Sequence, residues 1–507
     1  MKKHTLTLAL TSCLSLSAGL FSCQQQLSEV VPQTSLNQSL VLSDANAAQT
    51  LYTGVYASLR TYQATLFQLG EMRSDIWADG LYTESEDGTL KQLWSQNISA
   101  TNVPFTNWAG LYTLIDRINT VIKLFPSSPL AETTRNRYLA EMYGLRAYMY
   151  YTLLKTWGSV PITTEPVTSV DNLSDLYRER STPEAVMQLI KNDLEQSLTR
   201  FAGDNSFTAK RVYWNRAATL TLKGDVFIWS GTHMGGGAAD FTTARTALDE
   251  VKGLSTLGLQ TSYADIFDPT KETNNKEIIF ALSFEKNEST MNAYGSFQVN
   301  TTQAGTLVLD PVPGPAVTVS SAYPYVAGAS RVGMSQAMIN RLSDPKDSRI
   351  RSSFRVMYRN TAGNPTAGVL LTKFIGRVDA GTQLYDNDFP IYRYADVLLL
   401  LAEAKAKSGV DPSAEINAIR ARAYGSGYTP YTNGSLDANM NAILDEYLRE
   451  FIGEGKRWWA LRRAGNAYVF SAINPVYLPT SQPYKLILPI SITMLNTDPK
   501  LTQTAGY

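Results

Sequence analysis

Glu450 and Glu454 stand one helical turn apart in "NAILDEYLREFIGEGKRWWALRRAGN", a run that also holds Asp445, Glu446, Arg457, Arg462 and Arg463. Carboxylates at that density could serve one hydrolytic chemistry, glycoside cleavage, which needs an acid and a base or nucleophile about 5–10 Å apart beside a sugar cleft. The spacing fits a structural role better. Two carboxylates one turn apart repel, and Arg457, Arg462 and Arg463 are the nearest cations, so the run reads as an ion network pinning the last helices. On another face Asp445 and Arg449, four apart, are spaced to pair.

Composition removes most other chemistry. The chain has two histidines, His4 and His233, and two cysteines, Cys13 and Cys23, in 507 residues. Beyond position 23 only His233 remains, too little for a His-bearing zinc site, a Cys nucleophile or a dithiol pair. Its context, "SGTHMGGGAAD", lacks a nucleophile elbow and reads as a polar loop. The glycines there lack the lysine and preceding strand of a phosphate cradle. Basic and acidic residues balance at 45 each, so no global field points to nucleic acid. No cofactor is expected and no metal-ligating residue stands out; an oxygen-ligand calcium site in a loop stays open, with no EF-hand spacing present.

Both cysteines fall at the start for a reason. Lys2 and Lys3 precede a broken apolar run from Leu6 to Leu20, a secretory signal too short and interrupted to stay as a span. Cys23 follows Leu20-Phe21-Ser22, which resembles the lipobox of bacterial lipoproteins, so residues 1–22 read as signal and Cys23 as the acylated anchor. Two or three acyl chains hold a protein firmly where one would not. Residues 23–43, rich in Gln, Ser and Thr, read as a tether.

The elements that must position the carboxylate run are helical. Periodicity and caps predict helices over 44–62, 105–125, 131–157, 182–201, 210–231, a further one to 253, then 391–408, 412–424 and 436–455. Thr182 is spaced to cap the fourth, with Pro183 at its first position; Asp411 and Pro412 do the same for the eighth. Small Ala147, aromatic Tyr151 and Pro161 give 144–161 the look of the second helix of a tetratricopeptide repeat. The stretch from about 255 to 390 differs: "KEIIFALSF" at 276–284 reads as a strand, and 286–330 is loop-rich. The expectation is a mostly α fold of helix pairs with a loop-rich insert.

The carboxylate run resembles the signature of the SusD/RagB family of nutrient-binding lipoproteins. Similar segments lie in order at "RAYMYYTLLKTWGSVPI" (146–162), "NKEIIFALSF" (275–284), "DPKDSRIR" (344–351), "FPIYRYADVLLLLAEAKAKSG" (389–409) and "LILPISITMLNTDPKLTQTAGY" (486–507). The resemblance implies one SusD-like domain over 44–507, four tetratricopeptide-like pairs supporting a loop-rich ligand face. It implies capture of an oligosaccharide or peptide beneath a lid on a SusC-like TonB-dependent barrel in the outer membrane, with no bond broken. After Cys23, "CQQQLSE" has its first acid at Glu29, so surface exposure is implied by the family and not by this signal.

Sugars present flat C–H faces and a rim of hydroxyls, which aromatic plates and amide or carboxylate groups satisfy. The family analogy puts the ligand face on residues 71–104 and on the insert. There Asp75, Trp77, Tyr82, Trp94, Asn97, Tyr294, Tyr323 and Tyr325 are the candidates. Trp108 and the Trp458–Trp459 pair read as core. Two other readings stand beside the binding protein: a carboxylate-dependent glycoside hydrolase, and a structural helical-repeat adaptor.

Overall fold

A computed structural model describes residues 38–80, 88–291, 294–309, 317–361 and 366–507. Cys13, Cys23, the signal segment and Tyr82 lie outside them.

Eleven of the longer helices are numbered α1 (Ala45–Arg60), α2 (Gln63–Glu71), α3 (Ala109–Leu124), α4 (Glu132–Trp157), α5 (Pro183–Phe201), α6 (Arg216–His233), α7 (Gly237–Lys252), α8 (Tyr394–Lys407), α9 (Ser413–Tyr424), α10 (Leu436–Glu450) and α11 (Arg457–Ala464). Caps fix their starts. Asp44 accepts from Asn46 N (2.8 Å), Thr182 from Ala185 N with Pro183 behind it, and Asn215 from Ala218 N (2.9 Å).

Four boundaries, among others, differ from periodicity. α3 begins at Ala109, with Trp108 at its N-cap, and α6 begins only after Asn215, because Arg211 takes a positive φ of 57°. α9 begins at Ser413, with Pro412 as its cap and Asp411 accepting from Ser413 N (2.8 Å). α10 stops at Glu450, short of 455. Gly453 and Gly455 adopt φ of 83° and 72°, which a continuing helix forbids.

Packing runs in chain order: α1 on α3, α3 on α4, α4 on α5, α5 on α6, α6 on α7. After the insert, α8 closes on α7, and α9 and α10 pack on α8. The small-plus-aromatic pattern works as its sequence suggests. Ala147 and Tyr151 are both fully buried, and the Tyr151 hydroxyl crosses to Asp225 Oδ1 of α6 (2.9 Å). No described helix is long and apolar enough to cross a membrane.

Nine short strands are β1 (Ala78–Asp79), β2 (Ile278–Leu282), β3 (Leu307–Leu309), β4 (Val332–Gly333), β5 (Phe354–Arg359), β6 (Thr366–Leu371), β7 (Arg377–Asp379), β8 (Thr382–Leu384) and β9 (Phe389–Arg393). β2 and β9 pair antiparallel, Leu282 opposite Phe389, and close the base of the insert. β3, β5 and β6 form a sheet over a satellite core of Val299, Leu309, Met357 and Leu370. β1 pairs with β4, stitching residues 78–79 to the insert.

Candidate functional site

The ion network exists, with other partners. Glu450 and Glu454 have fully buried side chains, and both meet Arg393, which begins the helical return at α8: Nη1 to Glu450 Oε1 is 2.6 Å and Nε to Glu454 Oε2 is 2.8 Å. Arg349 reaches Glu446 (2.8 Å) and Glu450 (3.3 Å), Lys373 reaches Glu454 (2.8 Å), and Arg422 also bonds Glu450. Burial alone would raise both acids. The facing cations outweigh it, holding Glu454 down to about 2 and Glu450 well below the carboxylate range.

The three expected arginines go elsewhere, because the glycine turn after Glu450 reverses the chain before they emerge. Arg457 grips Asp75 bidentately, Nε–Oδ1 and Nη2–Oδ2 both 2.8 Å. Arg462 donates to the Leu486 carbonyl and lies 5.3 Å from the Trp229 ring, with burial depressing its pKa to about 9. Arg463 binds Glu403 (2.8 Å) and Asp225 (3.0 Å). Asp445 pairs with Arg341 and not with Arg449. His233 is no loop residue: it ends α6, half-buried, its Nε2 2.7 Å from the Arg462 carbonyl, and burial lowers its pKa to about 4. With Glu450 and Glu454 sealed by cations, this cluster offers no carboxylate pair to a substrate.

Three of the five described candidate rings are inside. Trp77 is buried with its edge on Phe297 (4.7 Å, 67°), and Trp94 is buried against Tyr477 (5.7 Å, 77°). Tyr294 is buried, stacked on Phe374 (5.2 Å), its hydroxyl donating to the Gly453 carbonyl (2.6 Å). Asp75, its side chain 6 % exposed, is an anchor: burial raises its pKa, but Arg457 and Arg341 outweigh that and hold it low. Loop residues carry no periodicity to report burial, and residues 71–80 fold under the insert instead of over it.

Three candidates stay at the surface. Tyr325 is 42 % exposed, Tyr323 is half-buried on the satellite core, and Asn97 is exposed. Tyr325 stands at the tip of the β7–β8 hairpin, its hydroxyl 3.9 Å from where a Cβ on Gly381 would lie. Ala380 and Gly381 both take positive φ, 47° and 82°, forming the two-residue turn that suits a twisted hairpin. Tyr385, which sequence reasoning missed, braces the same surface through Gln298 Oε1 (2.9 Å) and the Ala327 carbonyl (3.4 Å). The "DAGT" turn at 379–382 was the available signal. Lys286 pairs with Asp379 beside it. Asn97 belongs to a separate turn, tied to the C-terminal segment through Ile492 N and the Ala100 carbonyl (3.2 Å).

Comparison with known proteins bears on this architecture. Residues 355–507 match a family model described as "SusD family", and residues 29–220 one described as "Starch-binding associating with outer membrane". The structure superposes on B. fragilis NanU with a TM-score of 0.85 at 32 % identity, covering 94 % of this chain and 100 % of that one. The chain belongs to the SusD family. A SusD superfamily protein of Bacteroides vulgatus is similar at 33 % identity, TM-score 0.82, covering 92 % and 99 %. SusD-like protein P38 of Formosa agariphila is 24 % identical over the full length of both chains. The SusD-like helical scaffold is therefore shared along nearly all of the chain.

Proposed function

We propose that this SusD-family protein captures an oligosaccharide on the surface formed by Tyr323, Tyr325, Tyr385 and the β7–β8 hairpin, and holds it without transforming it. The observation that carries the reading is an exposed ring, Tyr325, on a loop face that the family scaffold presents, with the acid cluster of α10 sealed inside. A tyrosine plate packs a sugar's C–H face while its hydroxyl stays solvated. Asp379 and Lys286 supply a nearby acceptor and donor for hydroxyls. The starch-binding protein SusD of Bacteroides thetaiotaomicron, 31 % identical over 127 residues, 24 % of this chain and 22 % of its own, lends the glycan class support.

In this reading Cys23 carries the acyl anchor, the protein sits on the outer membrane facing outward, and it closes as a lid on a SusC-like TonB-dependent barrel. Titrating candidate oligosaccharides by calorimetry tests the site. Tyr325→Ala is expected to weaken binding by about tenfold, the loss of one ring contact. Unchanged affinity removes this face.

A further inference from the structure

A second concave surface lies on the helical scaffold, along the outer side of α1. Gln49 and Tyr52 line one cavity of about 240 Å³, and Thr53, Tyr56 and Arg60 line a second of about 230 Å³. Tyr213 lines both. From Gln49 to Arg60 the helix advances about 16 Å, so the two form one groove with a ring at its waist. It shares no residue with the Tyr323–Tyr325 segment.

The walls are aromatic and the ends are polar. Tyr213 is half-buried, near-parallel to Tyr52 (5.7 Å, 12°) and edge-on to Tyr56 (4.9 Å, 78°). In the first cavity stands Glu141, 2 % exposed. The hydroxyls of Tyr52 and Tyr56 both donate to its Oε2, while its Oε1 has only the Arg137 guanidinium, 3.7 Å away and beyond hydrogen-bond length. In the second cavity Arg60 sits 3.0 Å from Glu288 and 3.2 Å from the Ser283 carbonyl. Each cavity thus sets an arginine donor beside a carboxylate acceptor, next to a ring.

We propose that this groove is a second saccharide site, taking a short neutral oligosaccharide lengthwise along α1. Vicinal hydroxyls are the chemistry that answers an adjacent donor and acceptor, since each hydroxyl both gives and accepts. A cation is disfavoured in the first cavity by Arg137, and an anion by Glu141. Two tyrosine donors do not offset Glu141's burial, which pushes its pKa up to about 7, a cost that perturbed groups in functional clefts commonly bear. A sugar hydroxyl donating to Oε1 would relieve it. The assignment rests on the groove's own lining and not on the loop face.

The test is equilibrium dialysis of full-length protein in detergent against labelled maltotriose, cellotriose and mannotriose. The Tyr325→Ala protein is expected to retain at least one of the three, with that binding weakened about tenfold or more by adding Tyr213→Ala or Arg137→Gln. Arg137 is about half exposed, so its variant keeps the test sound if Tyr213→Ala does not fold. Failure of the Tyr325→Ala protein to bind any of the three, or binding indifferent to Arg137→Gln, overturns the groove. A partial loss caused by Tyr325→Ala, with the remaining binding still weakened by Arg137→Gln, concerns only the loop face.

Discussion

Arg457 and Asp75 show what a single residue pair does here. Asp75 comes from the loop after α2 and Arg457 from α11, so their bidentate contact fixes two distant segments. Removing the arginine leaves a buried carboxylate with only Arg341, 3.5 Å away. Arg457→Met should cost about 3–5 kcal/mol, read as a lowered urea midpoint, and adding Asp75→Asn should recover part of it. Glu141 makes the opposite prediction about pH. Its folded pKa is about 7 against about 4.5 for the free side chain, so the folded state holds the extra proton between those values and loses stability as pH rises through them. Relative to wild type, Glu141→Gln should therefore gain up to about 3 kcal/mol between pH 5 and pH 8, measured by denaturation at each pH. Neither pairing was legible in the sequence. The text places Arg457 beside Glu454, and nothing in it reveals that Arg393, 61 positions upstream of Glu454, is the true partner.

At the scale of elements the sequence was more informative. Asp44 and Thr182 cap helices because their side chains accept from the first turn, a local effect that spacing exposes; the Asn215 cap was missed. Where a boundary depended on distant chain, reading failed. The stop at Glu450 is secured by Glu71 of α2, which accepts from Gly453 N (2.6 Å) and Gly455 N (2.7 Å). Gly70 lies against the same turn, and a Cβ there would fall 1.7 Å from the Gly455 carbonyl oxygen. Gly70→Ala must push α2 off the turn that presents Glu454. It is expected to cost about 1–3 kcal/mol or more in thermal or urea unfolding, while Gly54→Ala on α1, where a Cβ meets nothing within 4 Å, is expected to be harmless. Equal effects would mean the turn tolerates displacement. Trp77 and Trp94 belong to the same lesson: their burial is set by Phe297 and Tyr477, partners that no local pattern names.

For the whole molecule, a helical solenoid in chain order carries an irregular insert clasped at its base by β2 and β9, with buried ion pairs gathered at the end of α10 and the proposed loop face on the insert. That division explains why the fold could be read from ordered segments spread along the chain while the ligand surface could not: helices repeat, and loop faces do not. The proposed function requires that the protein retain its cargo intact. The direct measurement is a glycan array probed with full-length protein, followed by product analysis of the retained glycans. Retention of a defined subset, unshortened and diminished on the Tyr325→Ala protein, is the expected result; retention of none, or release of shortened products by purified protein, would contradict it.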